Sequence, residues 1–200
     1  MKRTNRDLHG AVPEHSRVVL LLVDVINAMD FPTGRTLAKH AAPAARRIAA
    51  LQTRAREAHV PIVYANDNFG QWRSDFRAIA ANAQQPGMPG CKIATLLAPD
   101  EHDYFVLKPK HSAFYGTALE LLLTYFGAER IVLAGFAGDI CVQFTAQDAF
   151  LRDYELIVPR DTSASESPAS NAAALAFMRA RFGAKTPMSA RVNFRALSRA

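Results

Sequence analysis

Cysteine is scarce in this chain of 200 residues, occurring only as Cys91 and Cys141. Two cysteines cannot staple a multi-bridge secreted scaffold, so a reducing, cytoplasmic setting is expected. Tryptophan occurs once. No apolar run approaches the roughly 18 residues of a membrane span, so no membrane association is expected. The longest strong run, Val18 to Val23, stops at the carboxylate of Asp24. The basic stretch from Met1 to Gly10 is not followed by an apolar core and cleavage pattern, which argues against a signal peptide. The net charge of +6 is spread along the chain. It forms neither a basic run of about five residues or more nor a stripe interleaved with aromatics, so nucleic acid is not an expected partner.

What is present fits one globular domain. Half the residues are apolar and 21% are charged, which excludes wholesale disorder. Residues 1–15 read as a polar, poorly ordered arm and residues 16–200 as a single domain. Along that domain, short apolar runs alternate with helical patterns. Arg17 to Asp24, Pro61 to Asn66, Tyr104 to Leu107, Arg130 to Ala134 and Glu155 to Val158 read as buried strands. A weaker sixth is expected near Ala184 to Met188. Leu37, Ala41, Ala45, Ile48, Leu51 and Ala55 form a helical stripe that includes Pro43. Thr117 to Phe126, Cys141 to Leu151 and Asn171 to Arg181 are the other expected helices. This alternation predicts an α/β fold with helices on both faces of a mostly parallel sheet. Sites in such sheets form beyond the carboxyl ends of the strands.

Three strand ends carry reactive groups. Asp24 follows the first strand, and as a carboxylate at the edge of the core it needs partners, structural or catalytic. The third strand runs into Lys108-Pro-Lys-His-Ser-Ala-Phe114. There Lys108 continues the strand towards the cleft, Lys110 reads as solvated, and His111 has no Cys–His–Asn pattern around it that would make it a base. The fourth strand leads into Gly135-Phe-Ala-Gly-Asp-Ile-Cys141. With Asp139 as N-cap, Cys141 would fall in the first turn of the next helix. It is then either an inert small hydrophobe or a thiol placed where a helix terminus favours an anion. Cys91, in a Pro/Gly-rich connection, reads as a bystander.

These residues resemble the isochorismatase-like cysteine hydrolases, the superfamily of nicotinamidases, N-carbamoylsarcosine amidases and ureidoacrylate amidohydrolases. The resemblance rests on Leu22-Val-Asp24 with Asn27, on Lys108-Pro-Lys-His-Ser-Ala-Phe-Tyr-Gly-Thr117, on Leu133 to Cys141 with Thr145 and Asp148, and on Val158-Pro-Arg-Asp161. It implies a three-layer αβα, Rossmann-like fold with a six-stranded sheet in the order 3-2-1-4-5-6. It further implies a catalytic triad of Asp24, Lys108 and Cys141. A cis peptide between Phe136 and Ala137 is also implied, as is an oxyanion hole from the amides of Ala137 and Cys141. Asn27, Phe31, Asn68, Trp72 and Phe114 are candidates to line the substrate pocket. A homo-oligomer, dimer or tetramer, is implied as well.

Family nicotinamidases carry an Asp-x-His metal pair after the second strand, whereas this chain reads Asn66-Asp-Asn-Phe-Gly-Gln-Trp72 and has no histidine between His59 and His102. Neither a metal nor another cofactor is therefore expected. Isochorismatases proper lack the cysteine, so Cys141 points to acyl chemistry on a small-molecule substrate. Asp24 would take the thiol proton and act again on water. A helix end contributes only ~0.3–1 kcal/mol to an anion, less than the ~1.4 kcal/mol of one pKa unit. Lys108 is thus expected to supply the rest of the thiolate stabilisation. The rival readings are a thiol redox or peroxidatic protein using Cys141 and a catalytically silent binding module on the same fold.

Overall fold

The first strand sets the architecture. In a computed structural model, which describes residues 15–199, β1 (Val18–Val23) has all six side chains fully buried. Because successive side chains alternate across a strand, Val18, Leu20 and Leu22 enter one core, and Val19, Leu21 and Val23 enter another. Each buried Val or Leu side chain is worth roughly 1.5–3 kcal/mol relative to exposure, so this strand anchors both layers.

Parallel neighbours flank it. β2 (Ile62–Asp67) and β4 (Arg130–Phe136) pair with β1, β3 (Tyr104–Lys108) pairs with β2, and β5 (Glu155–Ile157) pairs with β4. The order is β3-β2-β1-β4-β5, and the short β6 (Ser163–Ala164) pairs with the end of β4. The stretch near Ala184 to Met188 does not form the expected sixth strand. It still runs parallel beside β5, where Lys185 bridges Ile157 and the Pro187 carbonyl accepts the Arg160 amide at 3.0 Å, whereas the regular sixth strand, Ser163–Ala164, pairs with β4 instead.

The first face is covered by α1 (Gly34–Glu57), α2 (Phe76–Ala83), α3 (Cys91–Leu96) and the C-terminal α7 (Phe194–Arg199). Helix α1 continues through Pro43, and its expected stripe from Leu37 to Ala55 is buried. The second face carries α4 (Leu119–Phe126), α5 (Gln143–Phe150) and α6 (Pro168–Phe182). Cys91 opens α3, where a loop was expected, and its Sγ donates to the Gln84 carbonyl at 3.2 Å. The expected arm falls largely on residues 1–14, which lie outside the described residues. Among the described residues no helix is long and apolar enough to cross a membrane.

One close approach joins the ends of β1 and β4. Gly135 has φ of 138°, and a Cβ there would stand 2.0 Å from the Val23 carbonyl oxygen. Gly183, the C-cap of α6, has φ of 65° but open space around it. Gly183→Ala should therefore cost only the left-handed backbone penalty, ~1–2 kcal/mol. Gly135→Ala adds a clash with backbone and should cost more than about 3 kcal/mol or prevent folding. Urea unfolding of the two variants checks this, and equal losses would contradict the packing described.

Candidate active site

Parallel pairing places the carboxyl ends of β1 to β4 side by side. Asp24 leaves β1 with φ of 52°, its amide donating to the Ala65 carbonyl at 2.9 Å. Lys108 is the last residue of β3, in register with Asp67 at the end of β2. Beyond β4, the Phe136–Ala137 peptide is cis, as the resemblance implies. The chain then forms a π-helical turn, Gly138–Val142, ahead of α5. Cys141 lies inside this turn, so Asp139 is not the N-cap of an α-helix. The position before the turn is held by Ala137, and the Asp139 amide donates to Ser165 Oγ at 3.1 Å.

Lys108 is fully buried, and its Nζ faces four acceptors. These are Asp24 Oδ2 at 2.8 Å, Lys110 O at 3.3 Å, Asp67 Oδ2 at 3.4 Å and Cys141 Sγ at 3.5 Å. An ammonium has three protons, so these contacts leave it no unused donor. Asp24, 4% exposed, also accepts the Asp67 amide on Oδ1 at 2.6 Å and acts electrostatically on the Cys141 thiol. The structure thus brings Asp24, Lys108 and Cys141 into mutual contact. The Lys110 side chain stays at the exposed surface and contributes only its carbonyl.

The electrostatics favour a protonated thiol at rest. Burial pushes the Cys141 thiol up, and the Asp24 carboxylate pushes it further, while Lys108 pulls it down by less. The short π turn leaves little dipole to add. Burial likewise raises Asp24 against the opposing pull of Lys108. Burial lowers Lys108, but Asp24, Cys141 and Asp67 outweigh it and hold the ammonium above its usual range. At rest the site holds a thiol facing the Asp24–Lys108 ion pair. The three groups titrate as one coupled system.

The amides of Ile140 and Val142 turn back onto the Ala137 carbonyl, at 3.3 and 3.1 Å. Those of Ala137 and Cys141 donate neither to that carbonyl nor to Ser165 Oγ. Of the pocket candidates, Asn27 and Phe31 line a cavity of about 260 Å³ with Phe69, Gln71 and Ile79. Asn27 Oδ1 accepts the Met29 amide at 2.7 Å, and the buried Asn68 accepts the Gly70 amide at 2.9 Å. Phe114 does not line a cleft. It is 5% exposed, belongs to the core on the α4–α6 face, and packs beneath the Arg152 guanidinium at 4.8 Å. Trp72 is 77% exposed on the loop before α2, and so is neither core nor enclosed pocket wall. A larger cavity of about 550 Å³, between Arg56, His59 and Tyr104, opens at the amino ends of β2 and β3, away from the reactive groups.

The position at which the resembled nicotinamidases hold a metal does not suit one here. Asp67 is followed by Asn68 and Phe69, its Oδ1 accepts the Phe69 amide at 2.7 Å, and its Oδ2 faces Lys108. Among the described residues no group of three or more His, Cys, Asp or Glu could hold a metal ion.

Two neighbours of the site were not placed there by the sequence, Asp67 and the His111 that was set aside as a base. Asp67 could have been found from strand register, because it ends β2 directly beside Lys108. His111 could not, because only the fold of the turn after Pro109 brings its Nδ1 to 3.9 Å from Cys141 Sγ.

Comparison with known proteins agrees with this fold. The family model for the isochorismatase domain matches residues 18–189. The uncharacterized isochorismatase family protein YaaI of Bacillus subtilis (strain 168) is 43% identical over 159 residues, covering 80% of this chain and 87% of that protein. The ureidoacrylate amidohydrolase RutB of Methylobacterium radiotolerans is 36% identical over 92 residues, which span 46% of this chain and 36% of RutB. Among solved structures, the N-carbamoylsarcosine amidase from Thermoplasma acidophilum superposes with a TM-score of 0.66 at 26% identity, covering 88% of this chain and 99% of that one.

The coupled charges carry a test of sign. The Asp24 carboxylate repels a thiolate, whereas Lys108 attracts one. Asp24→Asn should therefore speed iodoacetamide alkylation of Cys141 near neutral pH, while Lys108→Ala should slow it. In the unaltered protein the alkylation rate should go on climbing with pH through the alkaline range. A rate already saturated at neutral pH, or a slower reaction in Asp24→Asn, would contradict the protonation state described. Peptide mapping separates Cys141 from Cys91.

Proposed function

This chain belongs to the isochorismatase family, and we propose that it is a cysteine hydrolase of small amide, ureido or carbamoyl compounds. The bond cleaved is a carbon–nitrogen bond other than a peptide bond, and the intermediate is a thioester on Cys141. The observation that carries this reading is the buried contact of Lys108 Nζ with both Asp24 and Cys141 at adjoining strand ends. The amidohydrolase and amidase names of two of its relatives support it.

The roles follow from the protonation states. Asp24, held beside the sulfur by the shared Lys108 ammonium, takes the thiol proton as Sγ attacks the carbonyl carbon. Lys108 stabilises the sulfur while its charge develops, so the thiolate need not accumulate beforehand. The amides of Ala137 and Cys141 receive the oxyanion. Asp24 then returns the proton to the departing nitrogen, the C–N bond breaks, and the thioester is left. Water releases the carboxylic acid and restores the thiol. A redox protein would have no use for Asp24 as a proton carrier. We place the enzyme in the cytoplasm, where both free cysteines stay reduced. A homo-oligomer belongs to the same reading, and exposed side chains such as Trp72, Phe105 and Leu151 offer apolar surface for it.

A screen of small amides and ureas for ammonia release tests the activity. Cys141→Ala should abolish turnover of every compound that the unaltered protein hydrolyses, and Cys91→Ser should retain most of it. A slow substrate should leave an acyl adduct on Cys141 by mass spectrometry. Lys108→Ala should lose about 10²–10³ in turnover, by analogy with removing an oxyanion donor. Chelators should change nothing. An adduct on Cys91 instead, or catalytic peroxide reduction without amide turnover, would overturn the assignment.

A further inference from the structure

We propose that His111 is a second catalytic residue, the base that activates water against the thioester, so that Asp24 serves acylation and His111 serves deacylation. This rests on the reading of Cys141 as nucleophile. The sulfur is contacted by groups of opposite character. Asp24 and Lys108 are sealed from solvent. His111 is exposed, and its Nδ1 stands 3.9 Å from Sγ. The Phe144 ring packs against the imidazole, with centroids 5.5 Å apart and planes inclined by 42°, which restrains its orientation.

The two half-reactions make different demands on a base. In acylation the proton starts on sulfur, and Asp24 is held beside that sulfur through the Lys108 ammonium that both contact. In deacylation the proton starts on a water that must arrive from solvent. Asp24 meets that water poorly. It is 4% exposed, its Oδ1 holds the Asp67 amide at 2.6 Å, and its Oδ2 holds the Lys108 ammonium at 2.8 Å. His111 lies on the solvent side of the same sulfur, and neutral imidazole offers a lone pair at one ring nitrogen.

With the proton on Nε2, Nδ1 takes a proton from water as the water oxygen bonds to the thioester carbon. The tetrahedral species collapses, the C–S bond breaks, and its electron pair goes to Sγ. The imidazolium then gives its Nδ1 proton to Sγ, which returns the free thiol, neutral His111 and the carboxylic acid. No oxidant, metal or further reactant is needed.

The test uses 4-nitrophenyl acetate, whose acylation of a thiol releases a coloured phenolate before any hydrolysis of the thioester. The unaltered protein, His111→Gln, His111→Ala and Cys141→Ala are mixed rapidly with it. His111→Gln should give a phenolate burst equal to the active sites at a rate close to that of the unaltered protein. Its steady-state rate should then be about 10²-fold slower, the usual scale of general-base assistance. The acetyl group should persist on Cys141 by mass spectrometry, and added imidazole should restore deacylation in His111→Ala. Steady-state turnover unchanged in His111→Gln would overturn the proposal. So would burst and steady state falling together without imidazole rescue, which is the mark of a residue needed for structure or acylation. Failure of the unaltered protein to be acylated at Cys141 would instead remove the nucleophile itself.

Discussion

Burying one ammonium group at the carboxyl end of the sheet is the constraint on which the rest of this site depends. Lys108 has no exposed surface, and an unpaired charge in that position would be prohibitive. It survives because Asp24, Asp67, Cys141 and the Lys110 carbonyl converge on it. Each of those partners is fixed by backbone that serves another purpose. Asp24 terminates the central strand, Asp67 terminates its neighbour, and the approach of Gly135 to Val23 brings the cysteine loop over both. Removing one partner of a buried ion pair costs ~3–5 kcal/mol in general, so stability and chemistry draw on the same contacts here.

The same arrangement explains why the sulfur is held protonated. A cation beside a thiol would by itself favour the thiolate. In this site the cation is already shared by two carboxylates, and the closer one also faces the sulfur. The positive charge therefore does not act on the resting thiol alone. It takes effect when Asp24 accepts the proton and becomes neutral, leaving Lys108 to face a thiolate. Activation is deferred to the moment of attack, and a buried thiol that is not a resting anion is a poor target for stray electrophiles.

Much of this was legible in the sequence, for identifiable reasons. The buried strands could be read because a strand covered on both faces is a continuous apolar run, as Val18 to Val23 is. Asp24, Lys108 and Cys141 stood out because a reactive side chain directly after such a run lies at the rim where sheets of this kind bind ligands. Helices α2 and α3 were not legible, being short, partly polar and set among turns. The π turn was missed because Asp139 mimics an N-cap in sequence. The short strand on β4 was missed because two residues of pairing, Ser163–Ala164, leave no periodicity to detect. Phe114 and Trp72, both expected to line the pocket, lie in the core and on the surface, because nearness to a motif in sequence says nothing about which way a ring points. Asp67 and His111 depend on register and on a turn, which are tertiary facts.

Central to the site is the protonation state of Cys141, a thiol at rest that faces Asp24 beside Lys108. The ultraviolet absorbance of the thiolate, taken as the difference between the unaltered protein and Cys141→Ser across a pH titration, measures it directly. The expected result is no difference signal at neutral pH, a rise only in the alkaline range, and a shift of that rise to lower pH in Asp24→Asn. A full thiolate signal at neutral pH in the unaltered protein would contradict it.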